Sequence, residues 1–168
     1  MASITLGGNP AKTVGNLPAI HTLAPDFSLT RLDFSNASLS DFKGQKLVLN
    51  IFPSVDTSVC AQSVRHFNKE AANIKDAKVL CISKDLPFAQ KRFCGAEGIE
   101  NVEMLSDYKT GKFGNDYGVT FVDSAFASLL SRSIVVIDGN GKIVHTEQVP
   151  ETGNEPNYEA ALEALKNA

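Results

Sequence analysis

An α/β domain, with a mixed sheet covered by helices, is the fold class that the order of apolar patterns in this sequence predicts. Between positions 46 and 98 continuous apolar strands alternate with helical patterns: KLVLNIF, an amphipathic stretch, KVLCIS, then a second helical stretch. Such alternation is expected where helices carry the chain across the face of a sheet. Further on, Ser133 to Ile137 and Ile143 to Val149 flank Asp138-Gly139-Asn140-Gly141, a strong hairpin signal that adds antiparallel strands. A chain of 168 residues, 43% hydrophobic and 21% charged, can bury one good core and is short for two. One domain over residues 1–168 is therefore expected.

The elements follow in order. Ser3 to Leu6 and Lys12 to Val14 read as extended runs around the turn formers Gly7-Gly8-Asn9-Pro10, a hairpin within residues 1–16. Asp26 to Arg31 reads as a further extended segment. Lys46 to Phe52 is apolar enough to be buried on both faces, and Pro53 ends it. From Ser58 to Ile74 the residues Val64, Phe67, Ala71 and Ile74 recur at helical spacing, with Arg65, Lys69 and Glu70 between them. Lys78 to Ser83 is a strand. A helix then starts near Pro87, which suits a first-turn position, and ends near Gly95 or Gly98. Val102 to Leu105 is a short strand, and Lys109 to Tyr117 a helix that Gly118 is placed to cap. The chain closes with an amphipathic helix from Asn157 to about Lys166.

Composition narrows the function. A net charge of -3 offers no basic surface for phosphates, which argues against a nucleic-acid partner. No apolar stretch approaches a membrane span, and the first residues lack the pattern of a secretory signal, so the expected compartment is the cytoplasm. His21, His66 and His145 have no ligand spacing and no Cys-x-x-Cys exists, so neither a metal nor another cofactor is expected. Three cysteines are too few and too oddly numbered for a disulfide scaffold, which turns attention to redox or nucleophilic chemistry.

One junction concentrates the chemistry. In the run Phe52-Pro-Ser-Val-Asp-Thr-Ser-Val-Cys60 a buried strand hands over to a helix, and Cys60 falls in the first helical turn. Unpaired backbone N–H groups and the positive end of the helix dipole favour an anion there, hence a thiolate. Each residue also has a plainer reading. Cys60 could be a small buried apolar side chain, Thr57 a helix N-cap, Arg132 a solvated strand-edge residue, and Cys94 a half-buried thiol or half of a structural bridge. Cys81, inside KVLCIS, reads as core packing.

The run resembles the peroxiredoxin signature Pro-x-x-x-Thr-x-x-Cys, with Pro53, Thr57 and Cys60 at its fixed positions. Ala24-Pro25-Asp26-Phe27, Asp41-Phe42-Lys43-Gly44 and Arg132 extend the likeness along most of the chain. Asn50-Ile51-Phe52-Pro53-Ser54, Leu80-Cys81-Ile82-Ser83, Asp85-Leu86-Pro87-Phe88-Ala89-Gln90 and Arg92-Phe93-Cys94-Gly95-Ala96-Glu97-Gly98 are similar to the phrases of its thiol peroxidase branch.

The resemblance implies a thioredoxin-like fold with an added N-terminal hairpin. It also implies a peroxidase that reduces hydrogen peroxide or organic hydroperoxides, with Cys60 as the attacking thiolate and Cys94 as the resolving cysteine. The Cys60 sulfenic acid would condense with Cys94 to an intrachain disulfide that thioredoxin reduces. Thr57 and Arg132 would stabilise the transition state and Pro53 would shield the sulfur. A homodimer is implied as well. A general dithiol oxidoreductase ranks below for want of a Cys-x-x-Cys pair, and a glutathione peroxidase finds no support around Cys60. A peroxide sensor without turnover is the alternative that catalysis must decide.

Overall fold

The computed structural model describes residues 1–168. A two-stranded hairpin, β1 (Ser3–Leu6) and β2 (Asn9–Lys12), precedes a seven-stranded mixed sheet. In chain order its strands and helices are β3 (Ser28–Thr30), β4 (Asn36–Ser38), β5 (Lys46–Ile51), α1 (Ser58–Ala71), β6 (Ala77–Ser83), α2 (Pro87–Glu97), β7 (Glu103–Ser106), α3 (Lys112–Asp116), β8 (Ser133–Ile137), β9 (Ile143–Gln148) and α4 (Tyr158–Asn167). The sheet order is β4-β3-β7-β6-β5-β8-β9; β5, β6 and β7 run parallel and the remaining pairs antiparallel.

The continuous apolar reading of KLVLNIF is explained by burial on both faces. Leu47, Leu49 and Ile51 point into one core with Val135 and Ile137 of β8, and Val48 and Phe52 into another with Ile134 and Val136. The second core is covered by α1, α2 and α4 through Val64, Phe67, Phe93, Ala161 and Leu165. Each fully buried aliphatic side chain contributes roughly 1.5–3 kcal/mol. Period-2 alternation is invisible when both faces are apolar, so length and β-branching mark this strand instead.

Several boundaries differ from expectation. The hairpin turn is only Gly7-Gly8, at φ +58° and +80°, so Asn9 and Pro10 belong to β2. Pro10 is tolerated because the opposing Thr5 sends its N–H outward to the Pro150 carbonyl at 2.8 Å. Thr13 lies past the end of β2, still donating to the Ala2 carbonyl at 3.1 Å while it bridges to Phe121, and Val14 donates to the Thr120 carbonyl at 2.8 Å. The helix from Ser58 stops at Ala71, with Ile74 in the following turn. β7 begins at Glu103 rather than Val102.

The 109–117 helix shrinks to Lys112–Asp116 because Gly111 takes a left-handed N-cap at φ +68°. The sequence reading missed β4 and the 3-10 turn Leu39–Phe42, where Ser38 and Asp41 form a capping box too short to register as a period. Gly118, at φ +71°, lies against the next strap of chain: a Cβ there would meet the Asn16 oxygen at 2.2 Å. Gly118→Ala should therefore cost at least about 2 kcal/mol, read by urea denaturation, since neither backbone can yield freely.

Candidate active site

β5 delivers the chain to the site. After Ile51, Phe52 donates its N–H to the Ile82 carbonyl at 3.1 Å, and Phe52 and Pro53 are both buried. A turn closed by the Thr57 N–H on the Ser54 carbonyl, at 3.2 Å, then starts α1. Asp85, just beyond β6, fixes this turn: its carboxylate accepts from the Ser54 hydroxyl at 2.7 Å, the Val55 N–H at 2.9 Å and the Ser83 hydroxyl at 2.6 Å. The sequence reading quoted Asp85 only as part of a phrase. An acid at the carboxyl end of a parallel strand, where sites gather in α/β sheets, was the available signal.

Cys60 is the third residue of α1 and fully buried. Thr57 occupies the N-cap position but makes no side-chain capping bond; its hydroxyl donates instead to the Ser54 carbonyl at 3.0 Å. The capping reading of Thr57 is thereby corrected. The hydroxyl proton is held away from the helix, and the Thr57 oxygen keeps lone pairs able to accept a proton-bearing group. The first-turn N–H groups of α1 are left without a side-chain acceptor.

Arg132 is 3% exposed, so the strand-edge alternative falls. The register that opposes Ile51 to Ser133 puts Arg132 one residue beyond, level with the end of β5. From there its Nη2 donates to the Cys60 Sγ at 3.3 Å, across 72 residues of sequence. Its Nε donates to the Thr152 carbonyl at 3.0 Å, and its Nη1 is buried without a partner. The guanidinium pairs with no carboxylate. A buried cation is costly unless an anion compensates it. An unpaired buried donor beside the Cys60 sulfur is what an incoming oxygen needs.

The other two thiols behave differently, and all three are free. Cys94 is half-buried in the last turns of α2, packed against the same core as Cys60, and burial pushes its pKa up to about 11. Cys81 lies in β6 on that side of the sheet, and full burial pushes it up to about 12 despite a hydrogen bond from Asn50 at 3.6 Å. Asn50 also donates to Ser63 at 3.2 Å, whose hydroxyl donates at 2.8 Å to the Cys60 carbonyl. Cys81→Ser should leave peroxide turnover intact and lower stability by about 1 kcal/mol, read by chemical denaturation, because the hydroxyl can still accept from Asn50.

Arg65 pairs with Glu97 through two bonds, at 2.8 and 3.0 Å, and so ties α1 to α2. The exposed Arg92–Asp56 pair joins α2 to the turn before α1, and at such exposure contributes little. No cluster of three or more His, Cys, Asp or Glu side chains is placed to hold a metal ion, and no helix is long and apolar enough to cross a membrane.

Comparison with known proteins supplies the family. The family model described as Redoxin matches residues 20–162. The chain belongs to the redoxin family. Its similarity extends past that segment: a thiol peroxidase of Mycobacterium tuberculosis is 58% identical over 98% of this chain and 99% of the relative. One of Corynebacterium glutamicum is 50% identical over the same shares. Among solved structures, a peroxiredoxin-like protein from Aquifex aeolicus superposes with a TM-score of 0.94 at 33% identity, covering 99% of this chain and 97% of that one. This redoxin is a thiol peroxidase of the peroxiredoxin type, an enzyme that takes a peroxide as substrate and a thiol as reductant.

Proposed function

We propose that Cys60 is the peroxidatic cysteine and Cys94 the resolving one, in a cycle acting on hydrogen peroxide and on alkyl or lipid hydroperoxides. The observation that carries this reading is the buried Arg132, with Nη2 3.3 Å from the Cys60 Sγ and Nη1 unpaired beside it. The Cys60 thiolate attacks the nearer peroxide oxygen and displaces the other with its bonding pair. Negative charge grows on the leaving oxygen, where the guanidinium and the first-turn N–H groups of α1 can stabilise it. The Thr57 oxygen accepts the peroxide's proton-bearing end, and Pro53 helps to keep water from the sulfur. Proton uptake releases water or an alcohol and leaves Cys60 as a sulfenic acid.

Cys94 then condenses with the sulfenic acid, forming the S–S bond and releasing water. Its half-burial, which holds it as a neutral thiol, supports local unwinding of the end of α2 before this step. The disulfide accepts two electrons and two protons from a dithiol donor, which we infer to be thioredoxin. The whole chain, hairpin included, is read as one working domain, and a reducing cytoplasm suits three free thiols. Exposed Leu86 and Phe88, with Phe34 packed on Phe88 at 5.0 Å, support self-association as a homodimer.

The test is the intact mass after thiol blocking, before and after one equivalent of cumene hydroperoxide, with peptide mapping. The expected result is loss of two free thiols, mapped to Cys60 and Cys94 within one chain. Cys94→Ser should permit one rapid oxidation and then stall with thioredoxin. A bridge that used Cys81, or thioredoxin-driven cycling of Cys94→Ser at the wild-type rate, would remove Cys94 from the cycle.

A further inference from the structure

The N-terminal hairpin takes no part in the chemistry proposed above, yet it is bound to the segment that holds Arg132. At the hairpin tip, Gly7 and Gly8 donate their N–H groups to the Glu151 carboxylate at 2.9 and 3.0 Å. The Thr5 hydroxyl donates to the same carboxylate, and so does the Gly153 N–H at 3.1 Å. Four donors hold the Glu151 pKa down at about 2, the Thr5 hydroxyl contributing most, so the carboxylate is charged at any working pH.

Backbone pairing adds to the clamp. Thr5 donates to the Pro150 carbonyl at 2.8 Å, and its own carbonyl accepts from the Thr152 N–H at 2.8 Å and the Thr152 hydroxyl at 2.9 Å. The next carbonyl along, that of Thr152, accepts the Arg132 Nε at 3.0 Å.

A continuous path therefore runs from the hairpin through residues 150–152 to the guanidinium and on to the Cys60 sulfur. Residues 150–152 lie in the connection between β9 and α4, outside any main-sheet strand, so the sheet does not by itself fix where the Thr152 carbonyl stands. The buried guanidinium has only this carbonyl and the sulfur as partners. Its orientation, and with it the direction of the unpaired Nη1, depends on both.

We propose that the N-terminal hairpin is a positioning element for Arg132, acting through Glu151 and Thr152. Glu151 touches neither the peroxide nor the sulfur. It sets the Thr152 carbonyl, which sets the plane of the guanidinium. This rests on the reading of Arg132 as the group that stabilises the departing oxygen.

The experiment is a rate comparison on the reduced full-length protein. The second-order rate constant for Cys60 oxidation by cumene hydroperoxide is followed by rapid quench and thiol labelling in the wild type, Glu151→Ala, Arg132→Met and the double variant. Glu151→Ala should oxidise about 10-fold more slowly, as misplaced transition-state contacts do, while thioredoxin reduces its preformed disulfide at the wild-type rate. In the Arg132→Met background the same change should have no further effect on oxidation, because no guanidinium remains to misplace. A hairpin that served stability alone would lower the melting temperature but leave the oxidation rate unchanged, or slow it equally in both backgrounds. Either result overturns the proposal. If Glu151→Ala does not fold, Glu151→Gln, which keeps one acceptor oxygen, carries the same cycle with a smaller factor. Should Arg132→Met oxidise as fast as wild type, the reading of Arg132 fails and the positioning role falls with it. A slow Arg132→Met beside a wild-type-like Glu151→Ala defeats the hairpin's role alone.

Discussion

A Cys60→Ser variant should consume peroxide no faster than buffer, whatever reductant is supplied. A serine hydroxyl is scarcely ionised at neutral pH and is a far weaker nucleophile toward peroxide oxygen than a thiolate. The remaining thiols cannot substitute. With pKa values pushed up to about 12 and about 11, Cys81 and Cys94 hold on the order of one part in 10⁵ and 10⁴ as thiolate at pH 7. Neither has a guanidinium within hydrogen-bond reach of its sulfur, as Cys60 has. The check is thioredoxin-coupled peroxide consumption by purified variant. Residual turnover above the no-enzyme rate would take Cys60 out of the attacking role.

Arg132→Met should lower the rate constant of Cys60 oxidation by about 10²–10³-fold, the range seen when one oriented transition-state donor is removed. Stability should change much less. The Thr152 carbonyl loses its Arg132 donor, at roughly 1–3 kcal/mol, but a buried cation without a carboxylate partner is removed at the same time, which offsets part of that loss. Arg132→Lys separates charge from geometry. One ammonium cannot span both the Thr152 carbonyl and the sulfur while keeping a spare donor for the peroxide, so it should recover only part of the rate. Quench-flow oxidation rates beside thermal denaturation decide the matter. Unchanged oxidation by Arg132→Met would leave the helix N-terminus as the only charge-stabilising device.

Legibility in the sequence followed the range of the forces concerned. α1 and α4 were readable because an amphipathic helix writes its buried face into the residues at i, i+3 and i+4, and the β8–β9 hairpin because Asp138-Gly139-Asn140-Gly141 is itself the turn. The 3-10 turn and β4 were not readable, since three or four residues cannot show a period. The end of β2 was misplaced because Thr13 looks as extended as Lys12, and no local pattern shows that Thr13 bridges to the distant Phe121 while it still bonds to Ala2. At the site, Pro53, Thr57 and Cys60 form a local run, so the sequence could single them out together. Asp85, Thr152 and Glu151 act through hydrogen bonds to distant residues, which no local pattern encodes.

By itself the sequence determined the fold class, the strand-to-helix junction at Cys60 and the candidate run of Pro53, Thr57 and Cys60, because these depend on periodicity, turn chemistry and a short contiguous motif. Only the tertiary structure decided that Arg132 is buried, that its guanidinium meets the Cys60 sulfur, that Thr57 does not cap its helix, and that the hairpin grips the segment behind the arginine. Those outcomes depend on strand register and on which buried donor finds which acceptor. Such pairings are settled by the requirement that charges and polar groups taken out of water find partners, wherever in the chain those partners lie.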